Sequence, residues 1–242
     1  MRTALVLGFL VACGAGGGGG TGPDGGEPDG GGGPGPDGSA TADAPPGAPT
    51  AAELLARIAS CDQIVGGMFA PDTGAPSDIS ICGFPAAVAW KADLDVDCDG
   101  KMTAKCNLST DPDFMNQTAA TDSNGDPLDA AALPFVVIPG KSTRFDFRAA
   151  GLDMGSVVAV IYNDRVEYGV LGDIGPSAII GEASYRMAEI LGIDPDPSTG
   201  GADGGVAYIA FTGAAGMVDM IENHDEANTL GIDRAKTLLA TP

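Results

Sequence analysis

At 242 residues the chain has room for one or two domains, and because residues 1–49 hold no segment that could build a core, one domain of average size remains. The net charge of -21, from 33 Asp and Glu against 12 Lys and Arg, excludes nucleic acid as a partner and makes a polycation the complementary one. An acidic surface also keeps an exported protein soluble, so charge alone speaks to association and not to reaction type.

In chain order, Arg2 precedes the apolar run Ala4 to Ala12, and Leu10-Val11-Ala12-Cys13 resembles the lipobox of bacterial lipoproteins. The resemblance implies a signal peptide over 1–13, lipidation of Cys13, and a secreted or extracytoplasmic protein anchored at the cell envelope. No later run approaches membrane-spanning length, so any membrane contact is through that lipid. Residues 14–49 are almost entirely Gly, Pro, Asp, Ala and Ser, which bury nothing to offset their ordering entropy and read as a disordered linker. The glycine run Gly16 to Gly20 has no Gly-Lys-Ser/Thr after it and no strand before it, so it is not a phosphate loop.

The domain is expected over 50–242. Thr50-Ala51-Ala52-Glu53 is a capping-box pattern opening a helix with Leu54, Leu55 and Ile58 on one face. With Cys13 set aside, Cys61, Cys82, Cys98 and Cys106 form an even set suited to two disulfides. Four cysteines allow three connectivities; Cys61 with Cys82 and Cys98 with Cys106 is preferred because each closes a short loop. From Ala86 the period becomes two: Val88, Trp90, Ala92, Leu94 and Val96 share one face of a strand and Lys91, Asp93, Asp95 and Asp97 the other, which predicts a row of acids on an open face. Further strands are expected at Phe135 to Ile138, around Phe145 and Phe147, and over Val157 to Tyr162. Asn163-Asp164 turns the chain into a return strand, Arg165 to Leu171, that delivers Asp173 at its end. In regular strand parity Glu167 shares the face of Asp173. After Gly181 the period is helical up to Gly192, placing Glu182 at or just before a helix N-terminus. A last strand, Val206 to Phe211, and one or two C-terminal helices between Met217 and Leu239 follow.

Asp173 and Glu182 belong to the stretch YGVLGDIGPSAIIGEAS, Tyr168 to Ser184. Two carboxyls beside glycines suit a hydrolytic site in which one is protonated and one ionised, although a turn aspartate and a first-turn helix glutamate also occur for stability alone. The stretch resembles the chitosanases of glycoside hydrolase family 75, in which Y-G-V-x-G-D is followed nine residues later by the glutamate of I-G-E-A-S. KADLDVDCDG (Lys91 to Gly100), LPFVVIP (Leu133 to Pro139) and YIAFTG (Tyr208 to Gly213) extend the resemblance from about Cys82 to Gly213. It implies endo-hydrolysis of the β-1,4 bonds of chitosan with inversion, Glu182 as acid and Asp173 as base, and chitosan as the polycationic partner. A helix N-terminus at Glu182 argues against that order, because it favours the ionised carboxylate.

Asp93, Asp95 and Asp97 are candidates for holding glucosamine ammonium groups, with Glu167 as a nearby third acid and Tyr185 as a ring-stacking residue. A solvated acidic edge is the plain alternative. Asp95-x-Asp97-x-Asp99-Gly100 matches the opening of an EF-hand loop, but Cys106 stands where the bidentate glutamate belongs and no flanking helices are indicated. No metal or other cofactor is called for, although an unrelated calcium site stays open. Trp90 falls on the apolar parity and reads as core, and the lone His224 reads as a surface residue. The expected fold is α+β and β-rich, a compact barrel-like sheet with peripheral helices for which the double-psi topology is one option, in a monomer. Two other functions stay open: a surface module that only binds polysaccharide or calcium, and a glycosidase for another polymer.

Overall fold

The computed structural model describes residues 46–241. The leader with Cys13, and the linker as far as residue 45, lie outside the described residues. The domain opens at Thr50, whose Oγ1 accepts from the Glu53 N–H at 3.3 Å while the Glu53 carboxylate accepts from the Thr50 N–H at 2.8 Å. This reciprocal capping starts α1 (Ala51–Arg57), which buries Leu54.

The sheet is formed by β1 (Cys82–Phe84), β2 (Ala87–Asp97), β3 (Phe135–Pro139), β4 (Val157–Tyr162), β5 (Arg165–Gly175), β6 (Glu182–Ser184) and β7 (Ala202–Phe211). Strands β2-β6-β3-β5-β4-β7 are joined in that order, and β7 pairs again with β2, so six strands close into a barrel and β1 hangs on the edge of β2. Pairs β2–β6 and β3–β5 are parallel and the other four are antiparallel. Closure leaves none of the six with a free edge. Besides α1, the helices are α2 (Tyr185–Leu191) and α3 (His224–Ala240), with a short 3-10 turn at Ala214–Gly216.

Alternation along the strands divides the core in two. Ala87, Ala89, Ala159, Val170 and Ile209 belong to one cluster with Leu54 of α1 and with Ala227 and Leu238 of α3, so this set faces outward. The alternate residues, among them Val88, Trp90, Leu94, Val136, Val160, Leu171 and Tyr208, fill the barrel. Trp90 is a core residue, its ring stacked on Tyr208 with centroids 5.1 Å apart, a pairing that adds roughly 1 kcal/mol to the burial of both rings. Asn163, at φ 55°, and Asp164 make the two-residue turn between β4 and β5. Disulfides join Cys61 to Cys82 and Cys98 to Cys106.

Three expected elements differ. The segment around Phe145 and Phe147 forms turns, tied by the Lys141–Asp146 ion pair, because every barrel strand is already paired on both sides; the two rings instead join the interior cluster. Strand β5 runs on to Gly175, so Asp173 lies inside it and not beyond its end. Glu182 opens β6, not a helix: its backbone belongs to ladders with β2 and β3, and α2 starts only after Ser184, whose Oγ accepts from the Met187 N–H at 3.2 Å.

Candidate active site

Asp173 and Glu182 flank a single residue of β3. Val137 is in register with Asp173 of β5 on one side and with Glu182 of β6 on the other. Residues in register across a sheet share a face, so both carboxyls rise beside Val137 on the outside of the barrel, their Cα atoms about two strand spacings, or 10 Å, apart. The Glu182 side chain leans over β3, with Oε2 only 3.3 Å from where a Cβ on Gly175 would sit.

The position of Asp173 depends on a bulge. Leu171 is paired with Val136 and points inward, whereas Asp173 is paired with Val137 and points outward, so Gly172 is the extra residue that reverses the alternation. A Cβ on Gly172 would lie 2.7 Å from Cβ and Cγ of Phe135 and 2.9 Å from Cδ1 of Leu128; only glycine fits there. The parity that put Glu167 on the face of Asp173 assumed an unbroken strand. Glu167 lies six residues back along β5, roughly 20 Å at strand rise, where it binds Nε2 of His224 at 2.7 Å. His224 is accordingly a partly buried tie between β5 and the start of α3, not a free surface residue.

The site is a cleft of about 630 Å³ lined by Asp95, Asp97, Asp99, Asp111, Asp113, Asp173 and Glu182, with Val137 at its floor and, among the described residues, no Lys, Arg or His in its walls. Asp95 is exposed, but Asp93 and Asp97 are not: Asp97 is in register with Ser184 of β6, and Asp93 packs against Gly181 just ahead of that strand. The predicted open row of acids is therefore covered at two of its three members. Asp93 is packed against Gly181 outside the cleft lining, with Oδ1 unpartnered. Tyr185 begins α2 with the Lys105 amine 4.6 Å above its ring and likewise does not line the cleft. Asp111 and Asp113, absent from the sequence reading, reach the cleft on a loop anchored by the Cys98–Cys106 disulfide and by Asp99, whose Oδ1 accepts from the Met115 N–H at 2.7 Å. Their Asp-Pro-Asp context carried no periodic or motif signal.

The two central carboxyls have contrasting surroundings. Oδ1 of Asp173 accepts from the N–H groups of Ala119 and Ile174, both at 2.7 Å, bonds that favour its ionised form against the upward push of burial. Glu182 has no hydrogen-bond donor among the described residues. Burial, followed by the neighbouring charges of Asp95, Asp99, Asp173 and Asp111, pushes its pKa up to about 7. Burial raises both carboxyls, Glu182 to about 7, but only Asp173 has donors that favour its charge, and unequal surroundings of this kind suit an acid and base pair; the helix-dipole objection weakens because Glu182 stands two residues before Ser184, the N-cap of α2, and not in its first turn.

Stability should follow the same carboxyls. Burial raises Asp93 to about 7 and Asp99 to about 6, and Glu167 raises His224. Each group holds its proton more tightly folded than unfolded, so its contribution is complete below the unfolded pKa and is lost as pH rises through the folded one. Groups shifted the other way, such as Asp122 and Glu222, are only partly covered, and solvent screens their hydrogen bonds. Thermal unfolding should therefore show a Tm about 5 °C higher at pH 5 than at pH 8; a Tm that rises over that interval would contradict the buried acids.

A family model described as "Fungal chitosanase of glycosyl hydrolase group 75" matches residues 94–232, which include Asp95, Asp97, Asp173 and Glu182. The curated "Endo-chitosanase" of Aspergillus oryzae (strain ATCC 42149 / RIB 40) is 37% identical over 133 residues, 50% of this chain and 54% of that protein. "Endo-chitosanase B" of Aspergillus oryzae is 35% identical over 136 residues, 53% of this chain and 57% of that one, and "Endo-chitosanase C" of Aspergillus oryzae is 32% identical over 157 residues, 60% and 39%. The chain spans about half the length of the curated relatives it matches.

Proposed function

Because the chain belongs to the fungal chitosanases of glycosyl hydrolase group 75, we propose that it cleaves β-1,4 bonds within chitosan chains, with Glu182 as general acid and Asp173 as general base. The observation that carries the reading is the pair of carboxyls on either side of Val137, one held by two backbone donors and one with none. The Glu182 O–H bond breaks as its proton passes to the glycosidic oxygen. Asp173, ionised, takes a proton from the water that attacks the anomeric carbon. Inversion, with no covalent intermediate, is the outcome this assignment carries, since the attacking oxygen comes from water and not from Asp173. Asp95, Asp99, Asp111 and Asp113 supply negative charge along the walls for ammonium groups of flanking glucosamine units.

The test is soluble chitosan with the purified protein, following reducing ends and the anomer first released. Inversion at a β-linkage gives the α-anomer; a β-anomer would assign retention instead. No release from chitosan, with release from peptidoglycan or a neutral β-glucan, would move the activity to another polymer. Binding to chitosan with no product at all would leave only a surface binding module. The kcat/KM profile should be a bell whose alkaline limb falls near pH 7, where Glu182 loses its proton.

The two disulfides fit an oxidising compartment outside the cytoplasm. We place the domain, from Thr50 onward, after a Gly-, Pro- and Asp-rich linker held to the envelope by acyl chains on Cys13, acting as a monomer. Detergent-phase partition of the parent protein and not of Cys13→Ala checks the anchor.

A further inference from the structure

Asp97 is the most enclosed of the acids in the cleft. It is 5% exposed, its Oδ1 accepts from the Asp99 N–H at 2.6 Å, and its Oδ2 is sealed from solvent with no partner among the described residues. It lies on the same face of the paired strands β2 and β6 as Glu182, two residues past the Asp95–Glu182 pair. An ammonium group cannot reach a side chain so covered, which removes it from the substrate-binding set. A buried oxygen without a partner in a polar site instead calls for a proton and an acceptor.

Resting on the assignment of Glu182 as the acid, we propose that Asp97 is a positioning residue, a carboxylic acid that stays neutral through turnover and directs its O–H at the carboxylate Glu182 becomes. Every titratable group facing it is an acid: Asp95 on its own strand, Asp99, Asp111 and Asp113 on the segment that follows, Asp173 on β5 and Glu182 on β6. With no cation in the walls, burial and the Glu182 charge hold its pKa well above the ordinary carboxyl range. The proton given to the glycosidic oxygen is that of Glu182 alone. Asp97 keeps its own proton, and its hydrogen bond eases the charge left on Glu182 after transfer. A side chain that donates without being charged explains why an acid can sit beside the proton donor without repelling its ionised form.

Two substitutions of similar volume separate this role from a charged or a merely structural one. Asp97→Asn keeps a neutral donor; Asp97→Leu keeps the bulk and removes the donor. On glucosamine oligomers, Asp97→Asn should retain kcat within about threefold of the parent. Asp97→Leu should lower kcat about 10- to 100-fold, the worth of one hydrogen bond to a charged group, with KM unchanged. Its alkaline limb should move up by about one pH unit as Glu182 loses the donor that stabilises its charge. In the full chain, carboxyl-carbon NMR titration, assigned with Asp97→Asn and Glu182→Gln, should show Asp97 still protonated while Glu182 titrates. Ionisation of Asp97 before Glu182 would overturn the proposal. So would a raised KM in Asp97→Asn, as from a lost ammonium contact, or a Leu variant as active as the parent. The titration needs no substrate: a parent inactive on chitosan would remove the chitosanase reading while the order of ionisation still decides the state of Asp97.

Discussion

With the roles proposed for them, Glu182→Gln and Asp173→Asn should each lower kcat on chitosan by about a thousandfold, the scale of a lost general acid or base, with little change in KM. Both side chains lie beside Val137 with their charge facing one cleft, so the amides keep the shape and remove only the proton chemistry. The two losses differ in kind. A substrate whose leaving group departs without a proton, such as an aryl glycoside of a glucosamine oligomer, restores turnover to Glu182→Gln but not to Asp173→Asn, because the second still lacks the group that activates water. Removing Glu182 also removes the alkaline limb near pH 7. If the leaving group rescued the Asp173 variant instead, the roles would be exchanged; parent rates in both variants would end the catalytic assignment.

Gly172→Ala lowers Tm by about 5 to 10 °C, the effect of overpacking a closed core by one methyl group. It also reduces kcat by at least about a hundredfold, as misplacing a reacting group by about 1 Å does. The new Cβ would meet Phe135 and Leu128, both fully buried, and a shift that relieves the clash must move the bulge that turns Asp173 outward. Gly175→Ala is the comparison. Its Cβ meets Val137 Cγ1 at 3.0 Å and the movable carboxyl of Glu182 at 3.3 Å, so it should disturb kcat while leaving Tm nearly unchanged. Full activity in Gly172→Ala would show that the bulge does not position the base.

The bulge also marks where reading by period runs out. Strand β2 was legible because apolar residues alternate along it, which also placed Trp90 in the core; β3, β4 and β7 were legible as short apolar runs, and β5 as the strand returning from the Asn163-Asp164 turn. That parity misplaces Glu167 relative to Asp173, since one unpaired glycine reverses which side of β5 faces out. Strand β6 is too short to show a period and is followed at once by a capped helix, so Glu182 read as the helix start. Phe145 and Phe147 alternate like a strand, but two rings inserted from a turn leave the same pattern once the barrel has no edge left to pair.

The acid-rich character, the even set of four cysteines in the domain, the main strands and the family to which Asp173 and Glu182 belong could all be read from the chain alone, because composition, period and motif are properties of neighbouring residues. Which acids share a cleft, and which can hold a proton, depends on the folded barrel. Asp97, Asp111, Asp173 and Glu182 come from separate segments, and barrel closure sets β5 and β6 on either side of β3 while burying Asp97 beneath β6. Protonation depends on burial and on neighbouring charges across those contacts, and neither exists until the barrel closes.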